Sequence, residues 1–140
     1  MALINPINMI KAAQNSGYAI AAFNIHNMET IQAVVEGAWE EHAPVIIQTT
    51  PGTLRYAGIP YIAAMVRAAA DIYDIPIALH LDHCDNISTI IQCIKNGYTS
   101  VMIDGSKLPY KQNIEIVGKV VEIARYAEVA VEGELGKIGG

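Results

Sequence analysis

The densest chemistry in the sequence is the run His80, Leu81, Asp82, His83. Side chains alternate along a strand, so residues 80 and 82 share one face if the run is extended. A carboxylate beside imidazoles suits proton transfer, and neutral imidazole is a common metal ligand. One histidine does not make a catalytic metal site, which usually takes three protein ligands and keeps a position open. A capping or hydrogen-bonded loop histidine is the competing account of His83. Cys84 adjoins the cluster, but nothing nearby completes a thiolate motif, so a plain thiol is the expectation. Further along, Glu132 and Glu134 share a face on either side of Gly133, and Asp104 opens the triplet Asp104, Gly105, Ser106. A strand end running into solvent would account for the first pair, and a turn for the second. Upstream stand Asn24 and His26, then Gln48, Thr49 and Thr50. His42 falls at a predicted helix end, where a dipole contact accounts for it.

These residues share a placement. Short, continuously apolar runs at 18–23, 44–48, 76–81, 100–103 and 128–131 read as strands covered on both faces, as in parallel sheets. Each polar cluster follows or ends one of them. In parallel α/β folds that edge binds ligands and carries catalysis, although loops are also polar for ordinary reasons. Between the runs lie four amphipathic stripes: Ile31, Val34, Val35, Ala38 and Trp39; Ile59, Ile62, Ala63, Val66 and Ala70; Ile87, Ile90, Ile91 and Ile94; Val117, Val120, Val121 and Ala124. All keep the i, i+3, i+4 spacing of a buried helix face. An opening helix is predicted from Asn5 as cap, Pro6 in the first turn and Gly17 as stop. Asp85 or Asn86 can cap the third stripe, and Asn96 with Gly97 can end it. Sequential βα units of this kind build either an open doubly wound sheet of flavodoxin type or part of a (β/α)₈ barrel. Residues 134–140 follow the fifth strand with no helix to cover it, as in an interrupted barrel.

Composition narrows the function classes. The 140 residues are 52% hydrophobic and 16% charged, which favours a single well-buried domain. The net charge of −5 comes with no basic patch, which argues against nucleic acid. The start lacks a signal-peptide pattern, and no apolar run reaches the roughly 18 residues of a membrane span. Two cysteines without framework spacing point to reduced thiols and a cytoplasmic setting. No phosphate loop of the G-x-x-x-x-G-K type occurs.

Five ordered segments together resemble the class II ketose-bisphosphate aldolases, in particular the tagatose-bisphosphate aldolase-like branch: AFNIHN at 22–27, PVIIQ at 44–48 running on to TPG at 50–52, ALHLDH at 78–83, SVMIDGS at 100–106, and VEGELG at 131–136. The resemblance implies a (β/α)₈ TIM barrel, of which residues 1–140 are the N-terminal part: about five strands and four intervening helices. It implies a divalent metal, usually Zn²⁺, and reversible cleavage of a ketose 1,6-bisphosphate, tagatose or fructose, to dihydroxyacetone phosphate and glyceraldehyde 3-phosphate. It makes Asp82 the catalytic acid/base and His83 a zinc ligand, and it matches Asp104 and Glu134 to acidic positions of an alternative or second metal position. Asn24 and Thr50 match positions lining the substrate pocket, with Gln48 a looser candidate. His80 stays outside the metal set, because the family ligand is the histidine after the aspartate. Gly133 stands where the family commonly has Ala. The family's other two zinc histidines and its phosphate loops lie beyond position 140, so the segment alone is expected to be inactive. A cytoplasmic homo-oligomer, dimer or tetramer, is the expected assembly. The rivals are a non-catalytic structural or regulatory subunit and a complete flavodoxin-like binding module.

Overall fold

In the computed structural model, which describes residues 3–136, one parallel sheet runs through the molecule in the order β1-β2-β3-β4-β5. The strands are β1 (Ala21–Asn24), β2 (Val45–Thr49), β3 (Ile77–Cys84), β4 (Ser100–Ile103) and β5 (Ala130–Gly133). The helices are α1 (Pro6–Ser16), α2 (Met28–Glu40), α3 (Pro51–Ala57), α4 (Ile59–Ile72), α5 (Ile87–Lys95) and α6 (Tyr110–Arg125). A flavodoxin-like sheet places its first strand inside the sheet; here consecutive strands lie side by side, which excludes that rival. The second connection holds two helices rather than one stripe: Thr50 caps α3, and Gly58, at φ +85°, ends it and opens α4.

Local chemistry explains the remaining boundaries. The Asn5 side chain accepts from the Ile7 amide, Pro6 occupies the first turn, and Gly17 closes α1 at φ +73°. Asn27 and Thr30 form a reciprocal capping box on α2. Asn86, not Asp85, caps α5 by accepting from the Thr89 amide. His42 follows α2 in the left-handed region at φ +51°. Helix α1 lies across the N-terminal edge of the sheet: the Ile4 amide donates to Ile77 O, and Asn5 Nδ2 donates to Glu128 O at 2.6 Å. The opposite, C-terminal edge carries the polar residues.

The main core lies between sheet and helices. Val45, Ile47, Leu79, Leu81, Val101 and Ile103 from the strands meet Val35, Ile62, Val66, Ile90 and Val120 from the helices. The other face of the sheet is concave. Asn24 on β1 reaches Asp82 on β3 at 3.2 Å, and His80 on β3 reaches Glu132 on β5 at 3.5 Å. Strands two apart are separated by roughly 9–10 Å in the hydrogen-bonding direction. Such contacts across an intervening strand therefore require a sheet that curls toward its own axis. Among the described residues β1 and β5 each pair on one side only, and β1 is exposed throughout. Residues 137–140 of the predicted uncovered tail lie outside the described residues.

Ile90 is fully buried between α5 and the sheet, whereas Ile114 on α6 is 53% exposed. Ile90→Ala should lower unfolding free energy by about 2–5 kcal/mol in urea titrations, and Ile114→Ala by less than about 1 kcal/mol.

Candidate active site

The site is built on an irregularity in β3. Leu81 pairs with Val101 and Cys84 with Ile103, so three steps along β3 oppose two along β4. This is a β-bulge. Strict alternation would send Asp82 and His83 to opposite faces. Instead Leu81 and Cys84 both pack into the sheet–helix core, and Asp82 and His83 both turn toward the concave side. His83 takes φ +48°, a conformation that costs a non-glycine residue roughly 1–2 kcal/mol.

Around His83 three carboxyl groups converge. Its Nδ1 lies 3.3 Å from Asp104 Oδ2 and 3.4 Å from Glu134 Oε2, and its Nε2 lies 3.9 Å from Asp82 Oδ1. Two of these acids, Asp104 and Asp82, are oriented from outside. Asp104 Oδ1 accepts from the Ser106 amide at 3.0 Å and from Ser106 Oγ at 2.6 Å, which leaves Oδ2 facing the imidazole. Asp82 Oδ2 accepts from Asn24 Nδ2 at 3.2 Å. Those Ser106 contacts hold the Asp104 carboxyl below its ordinary range, and the Asp104 hydrogen bond raises the His83 imidazole.

One imidazole carries at most a single positive charge against three acids. Glu134 Oε2 is buried and has no hydrogen-bond donor among the described residues. Ligand atoms of His83, Asp104 and Glu134 lie within 4.8 Å of one another. Oxygen-rich ligands with one imidazole fit a divalent cation, which would neutralise the excess acid. Cys84 is not part of this set: it is buried, burial raises its thiol, and Sγ donates to Asn86 O at 3.4 Å.

The substrate candidates separate. Asn24 touches Asp82, while Gln48 lies in register between Asn24 and His80 on the concave side, half-buried. Thr50 is occupied as the cap of α3, accepting from the Thr53 amide at 3.4 Å. His26, on the same edge, binds Thr53 Oγ1 through Nδ1 at 2.8 Å.

His80 lies one layer below Asp82. It is 2% exposed, bonded through Nδ1 to Ser100 Oγ at 2.8 Å, with Nε2 directed at Glu132. Sequence reasoning set His80 aside and missed this brace. It also missed Asn113, whose Nδ2 donates to Glu134 O at 2.7 Å. The available signal was an amide at position 113 on the same helix face as Val117, Val120 and Ala124.

The curled parallel sheet, with its acids and imidazole gathered at the C-terminal edge, matches the N-terminal half of aldolase TIM-barrel structures. The chain belongs to the class II fructose-bisphosphate aldolase family, whose model matches residues 4–140. It is 46% identical over all 140 residues to the D-tagatose-1,6-bisphosphate aldolase subunit GatY of Klebsiella oxytoca, covering 49% of that protein. Among solved structures, the YdjI aldolase of Escherichia coli K12 superposes with a TM-score of 0.91 at 29% identity, over 96% of this chain and 52% of that one. The fructose-bisphosphate aldolase of Campylobacter jejuni gives 0.88 at 27% identity, over 99% and 47%. The chain thus spans about half the length of the relatives it matches.

Burial strips the His80 imidazolium of water and lowers its pKa to about 4, against the pull of Asp82. Between pH 6.5 and 4 the unfolded chain therefore binds the proton that the folded chain refuses, and stability falls as pH falls. The loss should be roughly 2–3 kcal/mol. His83 works in the opposite sense: its raised value favours the fold at low pH, and that contribution disappears as pH rises through it. Urea unfolding at pH 7 and pH 4.5 should show the acid loss in the wild-type chain and a flatter profile in His80→Gln.

Proposed function

We propose that residues 1–140 form the N-terminal part of a single TIM-barrel domain that, when complete, is a class II ketose-bisphosphate aldolase. The observation that carries this reading is the β3 bulge, which turns Asp82 and His83 together toward Asp104 and Glu134. Among the described residues β1 and β5 pair on one side only, and this, with the half-length match to aldolases, supports a barrel completed by further strands. The substrate class follows the named activities of the relatives: a ketose 1,6-bisphosphate, tagatose or fructose, cleaved reversibly to dihydroxyacetone phosphate and glyceraldehyde 3-phosphate. A cytoplasmic homo-oligomer, dimer or tetramer, fits this class, and no described helix is long and apolar enough to cross a membrane.

In this reading His83, with Asp104 and Glu134 close by, holds a divalent cation, Zn²⁺ by family habit. When bound, such an ion supplies a Lewis acid for the substrate ketone. Asp82 takes the C4 hydroxyl proton during cleavage and returns it during condensation. Asn24 holds Asp82 Oδ2, which leaves Oδ1 to face the reacting hydroxyl. Gln48 and Thr50 line the pocket wall on the β2 side. The designation of the Klebsiella oxytoca relative as a subunit favours one second reading, a structural or regulatory partner in an assembly.

Substitutions in the complete barrel chain test this. Asp82→Ala should lower turnover by about 10²–10⁴-fold while sparing metal content, and His83→Ala should deplete metal as well. Chelation should abolish activity and zinc restore it, whereas the subunit reading predicts no activity to restore. Near-normal turnover in Asp82→Ala would refute the role of Asp82, and a borohydride-trapped substrate adduct would refute the metal reading.

A further inference from the structure

Glu134 lies one residue past the last ladder position of β5, so sheet hydrogen bonds do not fix its backbone. Helix α6 does. Asn113, in the first turn of α6, is 5% exposed, and its Nδ2 donates to Glu134 O at 2.7 Å. Its Oδ1 is buried without a hydrogen-bond donor among the described residues. That atom occupies the space a side chain at Gly105 would need: a Cβ there would overlap Asn113 Oδ1 and stand 2.8 Å from Cγ. Gly105 directly follows Asp104. One buried amide thus lies against the tails of β4 and β5, which deliver Asp104 and Glu134 to His83. A buried amide left half-satisfied costs on the order of 1–3 kcal/mol, which an apolar residue at the same place on the helix would avoid.

We propose that Asn113 is a positioning residue: seated over the bare backbone of Gly105, it pins the main chain of Glu134 and so aims the Glu134 carboxylate at His83. The inference rests on the cation-site reading given above. It also explains Gly105 in chemical terms, since any side chain there displaces the amide and frees the strand tail. Residues that orient metal ligands from behind typically carry 10–100-fold in metal affinity.

Co²⁺ titration of the complete barrel chain, followed by visible absorption, tests the assignment with Glu134→Gln as reference. Asn113→Ala and the isosteric Asn113→Asp, which lacks the donor, should each weaken Co²⁺ binding about 10–100-fold, toward the Glu134→Gln value. Val120→Ala, a buried change on the same helix, should lower the melting temperature and leave Co²⁺ affinity unchanged. Gly105→Ala should reproduce the Asn113→Ala loss and add little to it in the double variant. Wild-type affinity in both Asn113 variants, with loss only in Glu134→Gln, would overturn the proposal, as would additive losses for Gly105→Ala and Asn113→Ala. If the complete wild-type barrel bound no Co²⁺, the cation-site reading would fail separately. Amide hydrogen exchange at Glu134 and Leu135 would then decide on Asn113: at least tenfold faster exchange in Asn113→Ala than in Val120→Ala supports it, and equal rates overturn it.

Discussion

The bulge in β3 governs everything else at the C-terminal edge. A regular strand would have offered the concave face only one of Asp82 and His83 and pressed the other into a packed apolar layer. With one extra residue, Leu81 and Cys84 both remain in the core while the two polar side chains turn inward. The left-handed backbone at His83 is held in place by burial on either side and by the ladder contact that resumes at Cys84. A local cost of roughly 1–2 kcal/mol is small beside the burial of two fully enclosed side chains, and it recurs where function requires it.

Given the bulge, the neighbouring strands supply an acid-rich surround. Asp104 and Glu134 come from the tips of β4 and β5, and Asn24 reaches over β2 to Asp82. Curvature makes these meetings possible. The same curvature brings His80 to Glu132 one layer down, where burial keeps the imidazole neutral at ordinary pH. A neutral ring whose Nδ1 accepts from Ser100 carries its proton on Nε2, 3.5 Å from the Glu132 carboxylate. The two histidines of one motif therefore have opposite assignments: His80 braces the interior wall, and His83 stands half-exposed among acids.

Much of this was legible in residue types. Continuous apolar runs specified the parallel strands, the four stripes specified the outer helices, and Asn5, Gly17 and Asn86 marked helix ends where the structure has them. Order along the sheet was not legible, because apolarity reports covered faces and says nothing of which strand lies beside which. Helix α3 escaped notice because its seven residues from Pro51 to Ala57 are too few to show a stripe. The bulge left no trace either: nothing in the residues Leu81 to Cys84 signals the extra step, and a histidine in a left-handed conformation replaces the glycine that would have announced it.

The site's polar residues follow the same rule. Those on strand ends, Asn24, Asp82, His83, Asp104 and Glu134, stood out because they interrupt apolar runs. Asn113 did not, since a polar residue in the first turn of a helix is ordinary by sequence. Its meaning depends on facing inward, onto Gly105 and the chain after β5, and facing is a property of packing. A parallel sheet fixes its residues only as far as its ladder runs, and Asp104 and Glu134 sit just beyond that limit. The restraint that remains must come from the helices behind, which is why an amide on α6 belongs to the account of an acid on β5.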